Sequence, residues 1–311
     1  MSSPPAKGPH AHGDPWRDYR VWSIGIYRGR SPLSLAPLVD TPVLTAADIS
    51  DIDADYVADP FMLREGPRWY LYFEILASRS RRGVIGLASS EDALHWRYHN
   101  VVLSEAFHLS FPCVFRQGDQ IYMVPESVQA NAIRLYRAVS FPDRFEFVTE
   151  LVTGQWADPS VFCYQGKWWM FACATPFQNR DLHLFSAQQP EGPWRSHPMN
   201  PVVADNKRLA RPGGRVCLAD GRLLRFAQNC VPRYGARVMA AEITALNAGH
   251  YQEKPCAENP VLKPDGRHWN AGMHHVDAHP LADGDWLACV DGDSYCIPDG
   301  LLCQDSCPAL T

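Results

Sequence analysis

Along this chain apolar and polar residues alternate in short runs, and helical periodicity is almost absent; the best helical candidate, TAADIS from Thr45, is long enough for one turn. Five of the runs share a layout: a polar or charged residue, a proline, an apolar stretch, a glycine turn and an aromatic-rich strand. The copies read ADPFMLREGPRWYLYFE from Ala58, SFPCVFRQGDQIYMVPE from Ser110, ADPSVFCYQGKWWMFAC from Ala157, ARPGGRVCLADGRLLRFAQ from Ala210 and VDAHPLADGDWLACVD from Val276. Pro60, Pro112, Pro159, Pro212 and, in the fifth slot, Ala278 mark a spacing of 52, 47, 53 and 66 residues. Short strands recurring at such a period predict a β-propeller.

The segments after the copies complete the unit. Each holds an alternating strand, a polar turn and a short strand opening near an aromatic residue: Trp96, Phe145, Trp194 and Tyr251. Two strands from the copy and two from its follower make four, one blade. The fifth unit runs out near Asp293, and WSIGIYRGRSPLSLAPL from Trp22 resembles the missing outer pair. The expected fold is therefore an all-β, five-bladed β-propeller whose N-terminal strands complete the last blade, so that no sheet edge is left open. The expected organisation is a disordered leader over 1–15 and one propeller domain over 16–311.

Composition narrows the function classes. A hydrophobic content of 46% suits a packed core, and a net charge near −5 offers no basic footprint for nucleic acid. No apolar run approaches a membrane span. The leader MSSPPAKGPHAHGDP lacks the apolar segment of a secretion signal. With that, the ten cysteines are expected as free thiols in a cytoplasmic protein, several of them (Cys113, Cys163, Cys173, Cys217, Cys289) buried in strands. Cys296, Cys303 and Cys307 lack the paired spacing of a zinc site.

Aligning the copies on their glycine turns gives two sets of equivalent positions. The slot before the landmark proline holds Asp59, Phe111, Asp158, Arg211 and Asp277; the slot in the second strand holds Glu74, Glu126, Cys173, Gln228 and Asp291. Antiparallel pairing brings both to one rim of the funnel. Carboxylates crowded in a concave, partly dry site cannot all ionise normally, so one is held as an acid while a neighbour serves as base. Glycosidic-bond cleavage has this requirement. An aspartate before proline also serves turns, accepting a backbone N–H. Arg211 and Arg215 could clamp an anionic group, and alternation places His275, Asp277 and His279 on one strand face. His108 falls near the same rim, and Trp156, Phe111 and Trp269 are candidates for stacking on sugar rings.

The first copy, with its Asp-Pro start and glycine–aromatic second strand, resembles the opening blade of the five-bladed furanosidase propellers of glycoside hydrolase family 43 and their β-fructosidase relatives. The motifs VADPFM, FHLSFPCVF, YMVPES, ARPGGR and GMHHVDAH resemble more closely the propeller at the N-terminus of plant glucosamine inositolphosphorylceramide transferases and its bacterial relatives, over roughly Trp22 to Asp293. The hydrolase resemblance implies Asp59 as base, with Glu126 or Asp158 donating the proton. Phe111 stands where those enzymes carry a carboxylate. It also implies room for a divalent ion, calcium, near the funnel, with no cofactor required. Glu74, His108, Arg211, Arg215, His275, Asp277 and Asp291 are the expected substrate contacts. The expected activity is hydrolysis of a furanoside or modified sugar conjugate. A non-catalytic glycan-binding module serving a separate transferase, or a tailoring enzyme reusing the funnel, are the alternatives.

Overall fold

The computed structural model describes residues 20–267 and 269–295. The expected leader and Cys296, Cys303 and Cys307 lie outside them. The chain enters on β1 (Arg20–Ser31) and β2 (Ser34–Pro37), then makes the expected single turn, a 3-10 turn at Ala46–Asp48. Four blades follow, each wound outward from the axis. They are β3 (Ala54–Glu65), β4 (Arg68–Ala77), β5 (Arg82–Ser90) and β6 (Arg97–Leu103); β7 (Ser110–Gln117), β8 (Gln120–Glu126), β9 (Ala132–Ser140) and β10 (Arg144–Thr153); then β11 (Ala157–Tyr164), β12 (Lys167–Cys173), β13 (Leu182–Ala187) and β14 (Arg195–Ser196). In the fourth, the inner strand is split into β15 (Arg211–Pro212) and β16 (Cys217–Ala219), both paired with β17 (Arg222–Asn229), outside which lie β18 (Arg237–Leu246) and β19 (Tyr251–Pro255). The last blade has β20 (Val276–Pro280) innermost, then β21 (Trp286–Tyr295), β1 and β2. Trp22 to Gly29 pair with Asp293 to Trp286, so the N-terminal strands close the ring as the pattern requires.

Apolar faces of neighbouring blades meet in the core. One cluster joins Tyr72 and Leu87 of the first blade to Phe115 and Met123 of the second and Trp168 of the third; another joins Ile24 and Cys289 of the last to Leu71 and Phe73 of the first. At the fourth blade the backbones nearly touch. A Cβ on Gly214 would lie 1.8 Å from the Val276 oxygen, and Val276 donates its N–H to Gly213 O at 2.9 Å. The Gly-Gly of ARPGGR therefore splits the inner strand and lets it seal against β20. Cys113, Cys173 and Cys289 are buried free thiols as expected, whereas Cys163 is exposed and Cys217 half-buried, because the outward face of an inner-strand end is not covered. Among the described residues no helix is long and apolar enough to cross a membrane.

Candidate functional site

The slot before the proline is built by a bulge. In the first three blades the ladder slips between Ala58 and Phe61, between Ser110 and Cys113, and between Ala157 and Ser160. The extra residue sits in the left-handed region: Asp59 at φ 52°, Phe111 at φ 46° and Asp158 at φ 49°. That conformation is costly for any side chain and most of all for a bulky one, so something must hold it. What holds it is a carboxylate from the preceding blade. Asp59 N–H donates to Asp291 Oδ2 at 2.9 Å, Phe111 N–H to Asp59 Oδ2 at 3.3 Å, and Asp158 N–H to Glu126 Oε2 at 3.1 Å. Several rim carboxylates thus accept backbone N–H groups, the turn-type role open to an aspartate before proline.

Glu74 has no such duty. Its Oε1 receives the Tyr56 hydroxyl at 3.4 Å and lies 3.3 Å from His108 Nε2. Gly83 donates its N–H to His108 Nδ1 at 2.8 Å, so the neutral ring carries its proton on Nε2, facing Glu74. Only glycine allows this approach, since a Cβ at Gly83 would stand 2.2 Å from Leu109 O and 2.9 Å from Glu74 Oε1. Burial pushes the Glu74 carboxyl well above the usual carboxylate range, with the Asp59 and Glu126 charges adding to it. Burial, helped by Arg211, holds His108 below the usual histidine range, so Glu74 gains no cation there.

Asp59 is placed differently. Burial pushes it up to about 7, and a neighbouring His274 pulls it back. His274 is stacked on Trp22 (centroids 3.9 Å apart) and bonded through Nδ1 to Asp291 Oδ1 at 2.7 Å; its Nε2 lies 3.8 Å from Asp59 Oδ1. Burial works against the His274 cation, but Asp291 and Asp59 outweigh it and keep its value above the histidine norm. Two neighbouring carboxyls therefore face opposite partners: Glu74 a neutral imidazole, Asp59 a cationic one. Burial raises both carboxyls, and of the two only Asp59 has a cationic neighbour drawing its value back down.

These groups open onto a cavity of about 860 Å³ lined by Asp59, Glu74, His108 and Glu126 on its floor and by Arg211, Phe177 and Tyr234 on its walls. Asp158, expected as an alternative proton donor, is only 1% exposed and is sealed: Arg211 binds it through Nε at 2.6 Å and Nη2 at 3.1 Å, and Gln228 Nε2 at 2.6 Å. Arg211 also reaches Glu126 Oε2 at 3.3 Å, Pro176 O at 3.0 Å and Asn179 Oδ1 at 2.9 Å, so it ties the acids to the lip loop over 175–179. Arg211 lines the cavity, as expected of a substrate contact, with its guanidinium paired to both acids.

Arg215 and Asp277, expected as substrate contacts, pair with each other at 2.6 Å away from the cavity, where Asp277 also accepts the Met62 N–H at 2.6 Å. The reason is register. Ala58, Ser110 and Ala157 pair with Glu74, Glu126 and Cys173, but Val276 pairs with Val290 and Asp277 with Cys289, because β20 has Ala278 in the proline slot and no bulge against β21. Asp291 is fully buried beneath the floor and engaged by the N–H groups of Asp59, His274 and His275. His275 lies between the edges of Phe61 and Phe111 and does not face the cavity; burial lowers it to about 4, against the pull of Asp291, so it is neutral. Phe111, Trp156 and Trp269 also miss the cavity, leaving Phe177, Tyr234 and Tyr56 as its aromatic surface. These three fall outside the aligned slots, which is why repeat reasoning passed over them.

A family model described as "Glucosamine inositolphosphorylceramide transferase 1, N-terminal" matches residues 17–293. The chain belongs to this N-terminal family. It is 36% identical over 304 residues to the glucosamine inositolphosphorylceramide transferase 1 of Oryza sativa subsp. japonica, a match covering 90% of this chain and 40% of that protein. The chain therefore spans about two fifths of the relative's length. Among solved structures, a β-1,2-mannobiose phosphorylase from Listeria innocua superposes with a TM-score of 0.62 at 13% identity, covering 87% of this chain and 96% of that one. A thermostable family-43 glycoside hydrolase gives 0.58 at 14% identity, covering 82% and 94%. At such identities the two structural likenesses show the fold of this chain alone.

Proposed function

We propose that the funnel binds a carbohydrate and acts on its glycosidic bond by carboxylate acid–base chemistry, with Glu74 as the acid and Asp59 as the base. The observation that carries this reading is the different neighbour of each carboxyl, a neutral imidazole at Glu74 and a cationic one at Asp59. Glu74, buried beside neutral His108, keeps a proton to give to a leaving oxygen. Asp59, beside cationic His274, has Oδ1 buried and without a hydrogen-bond partner, ready to take a proton. Glu126, held by Arg211 and the Asp158 N–H, is placed to accept from a sugar hydroxyl. The carbohydrate-active neighbours in fold and the glycosyl-transferring relatives support a sugar ligand.

A metal is not required by this reading. Asp59, His274 and Asp291 place ligand-type atoms within 4.8 Å of one another, but Asp291 and His274 satisfy each other by hydrogen bonding. Calcium takes six to eight oxygen ligands, a number these residues do not approach. The donor set does not fit that ion.

A second reading, a glycan-binding module working beside a separate transferase, is favoured by Phe111 in a slot where the resembling hydrolases carry a carboxylate. Turnover of a panel of aryl furanosides, pyranosides and sugar conjugates by the wild type, Asp59→Asn and Glu74→Gln separates the two. Hydrolysis is expected to vanish in both variants while affinity persists. A wild type that binds sugars and turns over none of the panel establishes the binding module instead.

A further inference from the structure

Four cations line the cavity, and they are not equivalent. Arg20 is paired with Asp293, and Arg211 with Asp158 and Glu126. Lys207 and Arg233 have no carboxylate partner among the described residues. Arg233 gives Nη2 to Ala271 O and lies over the Tyr295 ring at 5.6 Å, and its Nε, like Nη2 of Arg20, is buried without an acceptor. The two belong to one wall: Cys230 N–H donates to Lys207 O at 2.8 Å, fastening the Lys207 backbone to the loop that carries Arg233 and Tyr234. On the lip loop fixed by Arg211 stands Phe177, 83% exposed and the most exposed large apolar residue described, offering a flat face at the cavity mouth.

A concave site whose floor is acidic does not need two uncompensated cations to hold a neutral sugar, and cations in a recess focus anions. We propose that the mouth is a subsite for the negatively charged group of a sugar, a carboxylate or a phosphate, bound by Lys207 and Arg233 through charge-assisted hydrogen bonds with the sugar ring against Phe177. This rests on the carbohydrate reading above and narrows it to acidic sugar conjugates.

The test is isothermal titration of the full chain at low ionic strength with glucose, glucuronate, glucose 6-phosphate and inorganic phosphate, for the wild type and for the double variant Lys207→Ala, Arg233→Ala. At least one charged sugar is expected to bind about tenfold or more tighter than glucose, as charge-assisted bonds allow. The advantage should fall below about threefold in the double variant and shrink with added salt. Preference for glucuronate assigns a carboxylate, and preference for glucose 6-phosphate a phosphate. Charged sugars binding no tighter than glucose overturn the proposal and leave the carbohydrate reading standing; an advantage that survives in the double variant overturns it too. Inorganic phosphate binding through the two cations, with nothing gained from a sugar ring, keeps the anion subsite and removes the carbohydrate reading. Silence from all four probes overturns both.

Discussion

Replacing Glu74 by Gln isolates the acid. The amide keeps the shape and an oxygen for the Tyr56 hydroxyl and His108, and takes away the ionisation. In the unfolded chain Glu74 titrates near its ordinary 4.5; in the fold, burial and the Asp59 and Glu126 charges raise it well above that. A raised carboxyl binds its proton longer in the folded state. Its contribution to stability is whole below the unfolded value and is lost as pH rises through the folded one. The loss is about 1.4 kcal/mol per pH unit between the two values. As pH rises above the ordinary carboxylate range the wild type should therefore weaken steadily relative to Glu74→Gln until the folded value is passed. Urea melts of both proteins at several pH values, followed by circular dichroism, read this out. Parallel stability curves, or a wild type that gains on the variant as pH rises, would refute the reasoning.

Other perturbations test the rest of the site. Arg211→Lys cannot reproduce the bidentate hold on Asp158 or the tie to Pro176 and Asn179; loss of a buried pair's geometry should cost on the order of 3 kcal/mol in urea denaturation. Gly83→Ala drives a methyl group into Leu109 O and the Glu74–His108 pair, so a loss of about 1–3 kcal/mol in the same melts is expected. His274→Gln removes the cation beside Asp59; the ascending limb of the activity profile should move to higher pH, because Asp59 loses the charge that pulls it down. A raised histidine stabilises below its unfolded value and loses that contribution as pH rises, so the stability cost of His274→Gln should be greatest under mildly acidic conditions. Calcium and EDTA should leave the thermal midpoint unchanged, and a rise of several degrees with calcium would contradict the metal-free reading.

The repeat was legible because each blade must present the same apolar alternation and glycine turn to pack against its neighbours. Ring closure followed from counting strands. The floor of the site was legible in the first three blades, where a bulge precedes the proline and brings Asp59, Glu74 and Glu126 to one rim. It failed in the fifth, where alignment on the glycine turn placed Asp277 in a slot that, without a bulge, it does not occupy. Which imidazole each carboxyl faces was not legible, because it depends on Gly83 admitting His108 and on His274 standing over Asp291, contacts between residues distant in sequence. The cavity walls were out of reach for a related reason: Phe177, Lys207 and Arg233 sit in loops that differ from blade to blade, so no repeat register marks them.

The proposed acid and base are both carboxyls raised by burial, and their titration can be measured directly. Carbon-13 NMR of the aspartate and glutamate side-chain carboxyls, assigned with Asp59→Asn and Glu74→Gln, should show Asp59 titrating near 7 and Glu74 well above the ordinary glutamate range. Both carboxyls titrating at ordinary values would contradict it.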